Sequence, residues 1–172
     1  AGCFLSVEQP EGAGILTNDA GTFSGSDSGL YPAARNETYT VPERGITPEQ
    51  LATEYNNFYE FTTSKRRVWE LVDRFQIVPW SVSFGGLIEE EITLDLDDIL
   101  GIFELEERLY RFRCVEAWSM TVPWTGFPLS ALIEYVRPLS SATHVRMISE
   151  NRPEQMPGVD SLPNFPWPYH EG

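Results

Sequence analysis

The stretch "RLYRFRCVEAWSM", Arg108 to Met120, changes character at its middle. Up to Cys114 it alternates, with Tyr110, Phe112 and Cys114 on one face and Leu109, Arg111 and Arg113 on the other. That period of two is the signature of a strand. Beyond Cys114, "VEAWSMTVPWTGFP" holds two prolines and a glycine, which argues against a regular element. Cys114 therefore ends a strand on its apolar side and opens an irregular loop, a place where a rigid scaffold presents a reactive side chain.

Outward from this point the chain alternates between short helical and extended patterns. Downstream, Leu129, Leu132, Ile133 and Val136 recur at helical spacing and "HVRMIS" is a strand candidate. From Asn151 the prolines at 153, 157, 163, 166 and 168 make the chain loop-like, and it reaches "PYHEG" without a closing element. Upstream, "DLDDILGIF" predicts one or two helical turns capped by an aspartate, and "EITLDL" and "WSVSF" predict strands, the latter running into the Gly85-Gly86 turn. Val68, Leu71, Val72 and Phe75 suggest a short helix after the cluster Lys65, Arg66 and Arg67, which reads as a solvated face. Further back, Thr47, Pro48 and Gln50 form a helix start with a capping box, so a helix is expected from Pro48 to about Tyr55. It leads into "NNFYEF", a turn whose aromatics suit a core. The class is α+β, with mixed sheets and short helices.

The first 45 residues show no sustained apolar period, and "NDAGTFSGSDSG" has the composition of an extended or flexible arm. This gives an arm over residues 1–45 and a folded domain over residues 46–172, a length suited to one domain. Twelve basic against 26 acidic side chains leave a net charge of −14, which repels nucleic acid. "AGCFLSVEQP" has neither the basic region nor the long apolar run of a signal peptide. "NET" at Asn36 matches an N-glycosylation acceptor.

With only Cys3 and Cys114 in the chain, a disulfide-dense scaffold and a four-thiolate zinc site are excluded, while one long-range disulfide is arithmetically allowed. Four readings of Cys114 remain open on composition and spacing. It is a buried structural thiol, a nucleophile served by His144 or His170, part of a zinc site without recognisable ligand spacing, or a single soft thiolate on a metal carried by a cofactor.

The segment "LEERLYRFRCVEAWSMTVPWTGFPLSALI", Leu105 to Ile133, resembles the core motif of the molybdopterin-dependent protein-methionine-sulfoxide reductase catalytic subunits, bacterial members of the sulfite oxidase superfamily. "YNNFYEF" at Tyr55 to Phe61 and "PEQMPG" at Pro153 to Gly158 resemble two further blocks, in the family's order. The resemblance runs from about Thr47 onward and favours the last of the four readings.

It implies a sulfite oxidase molybdopterin-binding fold and a molybdenum-molybdopterin cofactor with Cys114 as metal ligand. Asn57 and Glu116 would stand near the metal as catalytic groups, and Asn56, Tyr59, Glu60 and Ser149 would bind the cofactor. Ser149 keeps the hydroxyl of the family's threonine. The implied activity is two-electron reduction of methionine sulfoxide in oxidised periplasmic proteins, with a membrane haem-binding subunit as electron donor and a periplasmic location. The family's domain continues beyond the point matching Gly172, so the fold is expected to be incomplete, with an open edge near Ser149. The alternative is a non-catalytic remnant or subunit lacking a complete cofactor site. Generic sulfite oxidase chemistry would share the cofactor but not "RCVEAW".

Overall fold

A computed structural model describes residues 3–8 and 29–171. Its strands are β1 (Cys3–Glu8), β2 (Ala34–Arg35), β3 (Ser81–Gly86), β4 (Ile92–Asp95), β5 (Glu106–Arg113), β6 (Ser119–Gly126), β7 (Val145–Ile148) and β8 (His170–Glu171). The helices are α1 (Glu49–Glu54), α2 (Leu96–Ile102), α3 (Leu129–Val136) and α4 (Pro157–Ser161). Five strands form one sheet in the order β4-β3-β1-β7-β8, and three form a second in the order β2-β5-β6. The architecture is α+β, as the alternating patterns imply.

Several elements depart from the sequence reading, including β2 within the expected arm and α4 within the stretch expected to be loop-like. Strand β1 comes from the segment expected to be an arm without regular structure; it lies antiparallel to β3 and parallel to β7. Residues 9–28 of that expected arm lie outside the described residues. Strand β6 forms despite Pro123, which pairs with Leu109. Because β6 is an edge strand, the missing N–H of a proline can face outward without breaking the ladder. The helix expected after the basic cluster is a single 3₁₀ turn over Val68–Glu70, and the Gln155 side chain takes the Gln76 N–H just beyond it. Finally, a short last strand forms where no further element was expected: β8 pairs with β7 at Met147 and Ile148, Ser149 N–H donates to Tyr169 O at 2.9 Å, and β8 becomes the edge of the larger sheet.

The helix starts show two outcomes for one kind of signal. Asp95 caps α2 in a full capping box with Asp98. Thr47 makes no cap on α1. Its hydroxyl accepts instead from Thr121 N–H, and its own N–H donates to Thr121 O, both at 2.9 Å, tying the entry of α1 to β6. The "NET" asparagine is likewise committed, since Asn36 Nδ2 donates to Glu106.

Two cores organise these elements. Phe84, Ile88, Leu94, Phe103, Leu132 and Val136 pack between the larger sheet and the faces of α2 and α3. Phe61, Val68, Met156 and Val159 form a second, with Leu71, Phe75 and Trp167 against it. Beside the second core Arg152 is buried but partnered on every side. It pairs with Glu150 at 2.8 Å, donates to Gln76 O at 2.7 Å, and lies over the rings of Phe75 and Trp80. A buried charge is tolerable only with such compensation.

Strand β2 is held to β5 by Glu106, whose carboxylate accepts from Asn36 and Arg108. The Asn36 amide first, and the Arg108 guanidinium second, hold its pKa below the usual carboxylate value. A depressed folded pKa adds stability above the unfolded value of about 4.3, and that stability is lost as pH falls through the folded value. Exchange of the Asn36 N–H, which donates to Glu107 O at 2.8 Å, should therefore accelerate beyond its intrinsic rate below pH ~4. Glu106→Gln should show the faster exchange already at neutral pH. Hydrogen exchange followed by NMR checks both.

Candidate functional site

The site is built where the β5–β6 hairpin turns. The ladder continues one step past the strands, Cys114 N–H donating to Trp118 O at 2.9 Å, and a three-residue tip of Val115, Glu116 and Ala117 closes it. Ala117 takes a left-handed conformation, φ 68°, and its N–H returns to Cys114 O at 3.2 Å. Val115 is 99% exposed at the tip. This geometry turns the Glu116 side chain and the Cys114 thiol toward one another's surroundings. Cys114 is a free thiol, half-buried.

Opposite the hairpin, α1 ends at Tyr55 in extended backbone and the chain turns through "NNFYEF". Asn56 Oδ1 accepts from Phe58 N–H at 3.4 Å, and Asn56 N–H donates to Lys65 O at 3.1 Å, closing the loop between residues 56 and 65. Phe61 enters the second core, as expected of the turn's aromatics, while Phe58 stays 59% exposed. The closed loop presents three side chains to the hairpin. Asn57 Nδ2 donates to Cys114 Sγ at 2.9 Å, and Trp118 Nε1 donates to Asn57 Oδ1 at 3.3 Å. The Tyr59 hydroxyl donates to Glu116 Oε1, and Lys65 Nζ pairs with Glu116 Oε2. A further N–H, from Glu116, reaches the Cys114 sulfur at 3.4 Å.

The charges follow from these contacts. Lys65 first, then the Tyr59 hydrogen bond, hold the Glu116 carboxyl below its usual pKa. Hydrogen bonding to Glu116 raises Tyr59 and Lys65 in turn, so phenol and ammonium keep their protons. An ionised carboxylate thus stands two residues from a thiol, with a proton-bearing group on each oxygen.

A second contact set adjoins the first through the backbone. Ser149 Oγ donates to Glu60 Oε1 at 3.5 Å and to Tyr169 O at 3.1 Å. Gly158, at the start of α4, donates its N–H to Glu60 O at 2.8 Å. The three blocks "NNFYEF", "RCVEAW" and "PEQMPG" therefore meet. Of the residues singled out in the sequence, Asn57, Tyr59, Cys114 and Glu116 form one network and Glu60 with Ser149 another. Asn56 contributes through the turn it holds.

Lys65 and Trp118 belong to the network but were not singled out. Lys65 read as part of a solvated basic cluster, and only the Asn56–Lys65 backbone bond brings it to Glu116. The histidines stand elsewhere in the described bonding: His144 Nδ1 contacts the Thr143 hydroxyl at 2.7 Å, and His170 pairs in β8 with Ile148. A cleft of about 440 Å³ lies at the far end of β5, lined by Arg35, Phe103, Glu106 and Ala131 among others. None of the Cys114 network lines it.

Residues 70–164 match the oxidoreductase molybdopterin binding domain family. The chain is similar to three proteins each named protein-methionine-sulfoxide reductase catalytic subunit MsrP. It is 45% identical over 151 residues to that of Ralstonia nicotianae, covering 87% of this chain and 45% of the relative. For Campylobacter jejuni the identity is 48% over 128 residues, 74% of this chain and 43% of the relative. For Burkholderia mallei it is 44% over 140 residues, 81% and 42%. The chain spans less than half the length of each of these relatives.

Proposed function

Because the chain belongs to the oxidoreductase molybdopterin binding domain family, we propose that it is part of a molybdenum enzyme that reduces methionine sulfoxide in proteins, with Cys114 as the protein's ligand to the metal. The observation that carries this reading is the Asn57 Nδ2 to Cys114 Sγ contact at 2.9 Å. It joins two of the three resemblance blocks at a free thiol, Cys114.

The residues present suit the cofactor. A single sulfur, approached by two N–H donors, is placed to act as an acceptor and as a metal ligand. The family resemblance assigns the remaining ligands to the pterin dithiolene. Tyr59, Glu60, Asn56 and Ser149 are assigned to contacts with the pterin. When bound, the molybdenum-pterin group supplies two-electron oxygen-atom acceptance from the S=O bond.

The net reaction consumes two electrons and two protons and releases a thioether and water. The chain's own residues serve the protons and the charge. Glu116, ionised, accepts at Oε1 from the Tyr59 hydroxyl and at Oε2 from Lys65 Nζ, which makes a short proton path toward the thiol side of the loop. Asn57 draws charge from the Cys114 sulfur. The resemblance extends the proposal to oxidised periplasmic proteins as substrates, a membrane haem-binding donor subunit and a periplasmic location. A non-catalytic remnant would have no use for the intact Asn57–Cys114 and Tyr59–Glu116–Lys65 contacts.

The test is metal analysis joined to turnover. The whole protein, produced with its cofactor, is expected to carry molybdenum and to re-oxidise a reduced viologen when given an oxidised, methionine-rich protein. Molybdenum-loaded protein that leaves methionine sulfoxide untouched, or that turns over sulfite in its place, would refute the reading.

A further inference from the structure

The side-chain amide of Asn57 can adopt two orientations that differ by exchanging its oxygen and nitrogen, nearly equal in shape and opposite in hydrogen bonding. Its two neighbours make the orientation consequential. On one side is the Cys114 sulfur, which already takes a second N–H from Glu116 and so stands as an acceptor; on the other is the indole N–H of Trp118, which donates and cannot accept. With Oδ1 toward Trp118 at 3.3 Å and Nδ2 toward Cys114 at 2.9 Å, both neighbours are matched. Reversed, the amide would set an oxygen against the sulfur and N–H against N–H.

The indole is itself well held. Trp118 O accepts from Cys114 N–H at 2.9 Å, fixing its backbone to the thiol's own. Its ring meets Tyr55 edge-on, centroids 5.3 Å apart at 89°, and Phe112 at 5.5 Å. Arg66 lies over the far partner Tyr55 at 5.4 Å. A donor-only group on a ring gripped from two sides is a rigid selector.

We propose that Trp118 is a positioning residue: by donating to Asn57 Oδ1 it locks the amide with its N–H on the Cys114 sulfur, and so sets the electron density of that thiolate. The amide's orientation is a property of the polypeptide, and its redox consequence rests on the proposed role of Cys114 as metal ligand. Hydrogen bonds to a ligand sulfur withdraw charge and raise the reduction potential of the metal they serve. Loss of the indole donor should therefore make the metal harder to reduce.

Trp118→Phe keeps an aromatic ring, smaller than the indole, and removes the N–H. In the metal-free protein, the two Asn57 side-chain NH₂ resonances should be dispersed and protected from exchange with water in the wild type, and should shift toward ordinary asparagine values and exchange faster in the variant. In the cofactor-loaded protein, the variant's midpoint potential should shift negative, with an altered Mo(V) EPR signal. Asn57→Asp is the control in the opposite sense. It keeps an acceptor for Trp118 and has no N–H for the sulfur, so the indole N–H resonance should persist while the potential still shifts negative. Unchanged Asn57 resonances in Trp118→Phe overturn the positioning role whatever the metal does. Changed resonances with an unchanged potential in both variants overturn the assignment of Cys114 to the metal and leave the orientation standing. Should Trp118→Phe fail to fold, a loaded Asn57→Asp protein with wild-type potential overturns the tuning by itself.

Discussion

Cys114→Ser is expected to lower the proposed methionine-sulfoxide reductase turnover by about a thousandfold or more, equivalent to a barrier higher by ~4 kcal/mol. The two side chains have nearly the same size, and the thiol sits half-buried at the hairpin turn, so the fold should persist with a stability change of about 1 kcal/mol or less. What changes is the donor. Serine offers an oxygen that is scarcely ionised at neutral pH and gives a metal far less charge than a thiolate sulfur does. Molybdenum content should fall with activity. Glu116→Gln should separate the two, keeping metal content while slowing turnover, because the amide cannot pair with Lys65 as the carboxylate does. Wild-type turnover in Cys114→Ser would end the proposed mechanism.

Gly158→Ala is expected to destabilise the protein by about 3 kcal/mol. A Cβ at this position would lie 2.2 Å from Tyr59 O and 2.7 Å from both Glu60 C and Glu60 O. All three are backbone atoms, which cannot swing aside as a side-chain end can. Either α4 retreats, losing the Gly158 N–H to Glu60 O bond of 2.8 Å, or the "NNFYEF" turn is pushed toward Cys114. In a chain of this length ~3 kcal/mol lowers the melting temperature by roughly 6–12 °C. Thermal and urea unfolding measure it. A change within about 0.5 kcal/mol, the usual range of a surface substitution, would mean that the close approach does not exist in solution.

How much of this could be read in the sequence depends on whether each signal was local. Strand β5 and the Asp95 cap are set by neighbouring residues, and both form where their patterns place them, although Tyr110 and Phe112 on the strand's apolar face stay exposed. The Thr47 capping pattern was equally good, but Thr121 on β6 competes for the same hydroxyl and wins it. Pro123 argued against a strand because its tolerance depends on β6 being an edge, a property of the sheet and not of the segment. In "CFLSVE" Leu5 and Val7 do alternate with Ser6 and Glu8, but only partners from β3 and β7 make a strand of it. The site divides in the same way. Cys114, Asn57, Tyr59 and Glu116 were reached through the resemblance blocks, and the contacts bring them together. Lys65 was not, because three adjacent cations carry no mark of which one meets a carboxylate.

The placement of β1 also has a kinetic side. The hairpin of β3 and β4 can form as soon as its own short loop closes, and β5 with β6 likewise. The larger sheet has no such shortcut, since its middle strand lies far upstream of both partners and must be flanked on one side by β7, well over a hundred residues later. Contacts of that sequence separation slow folding. During synthesis β1 leaves the ribosome long before either neighbour exists, and an unpaired strand with open N–H and C=O groups is a template for association with other chains. The slowest folding phase should thus be the insertion of β1, and this is the step at which a chaperone would have most to protect.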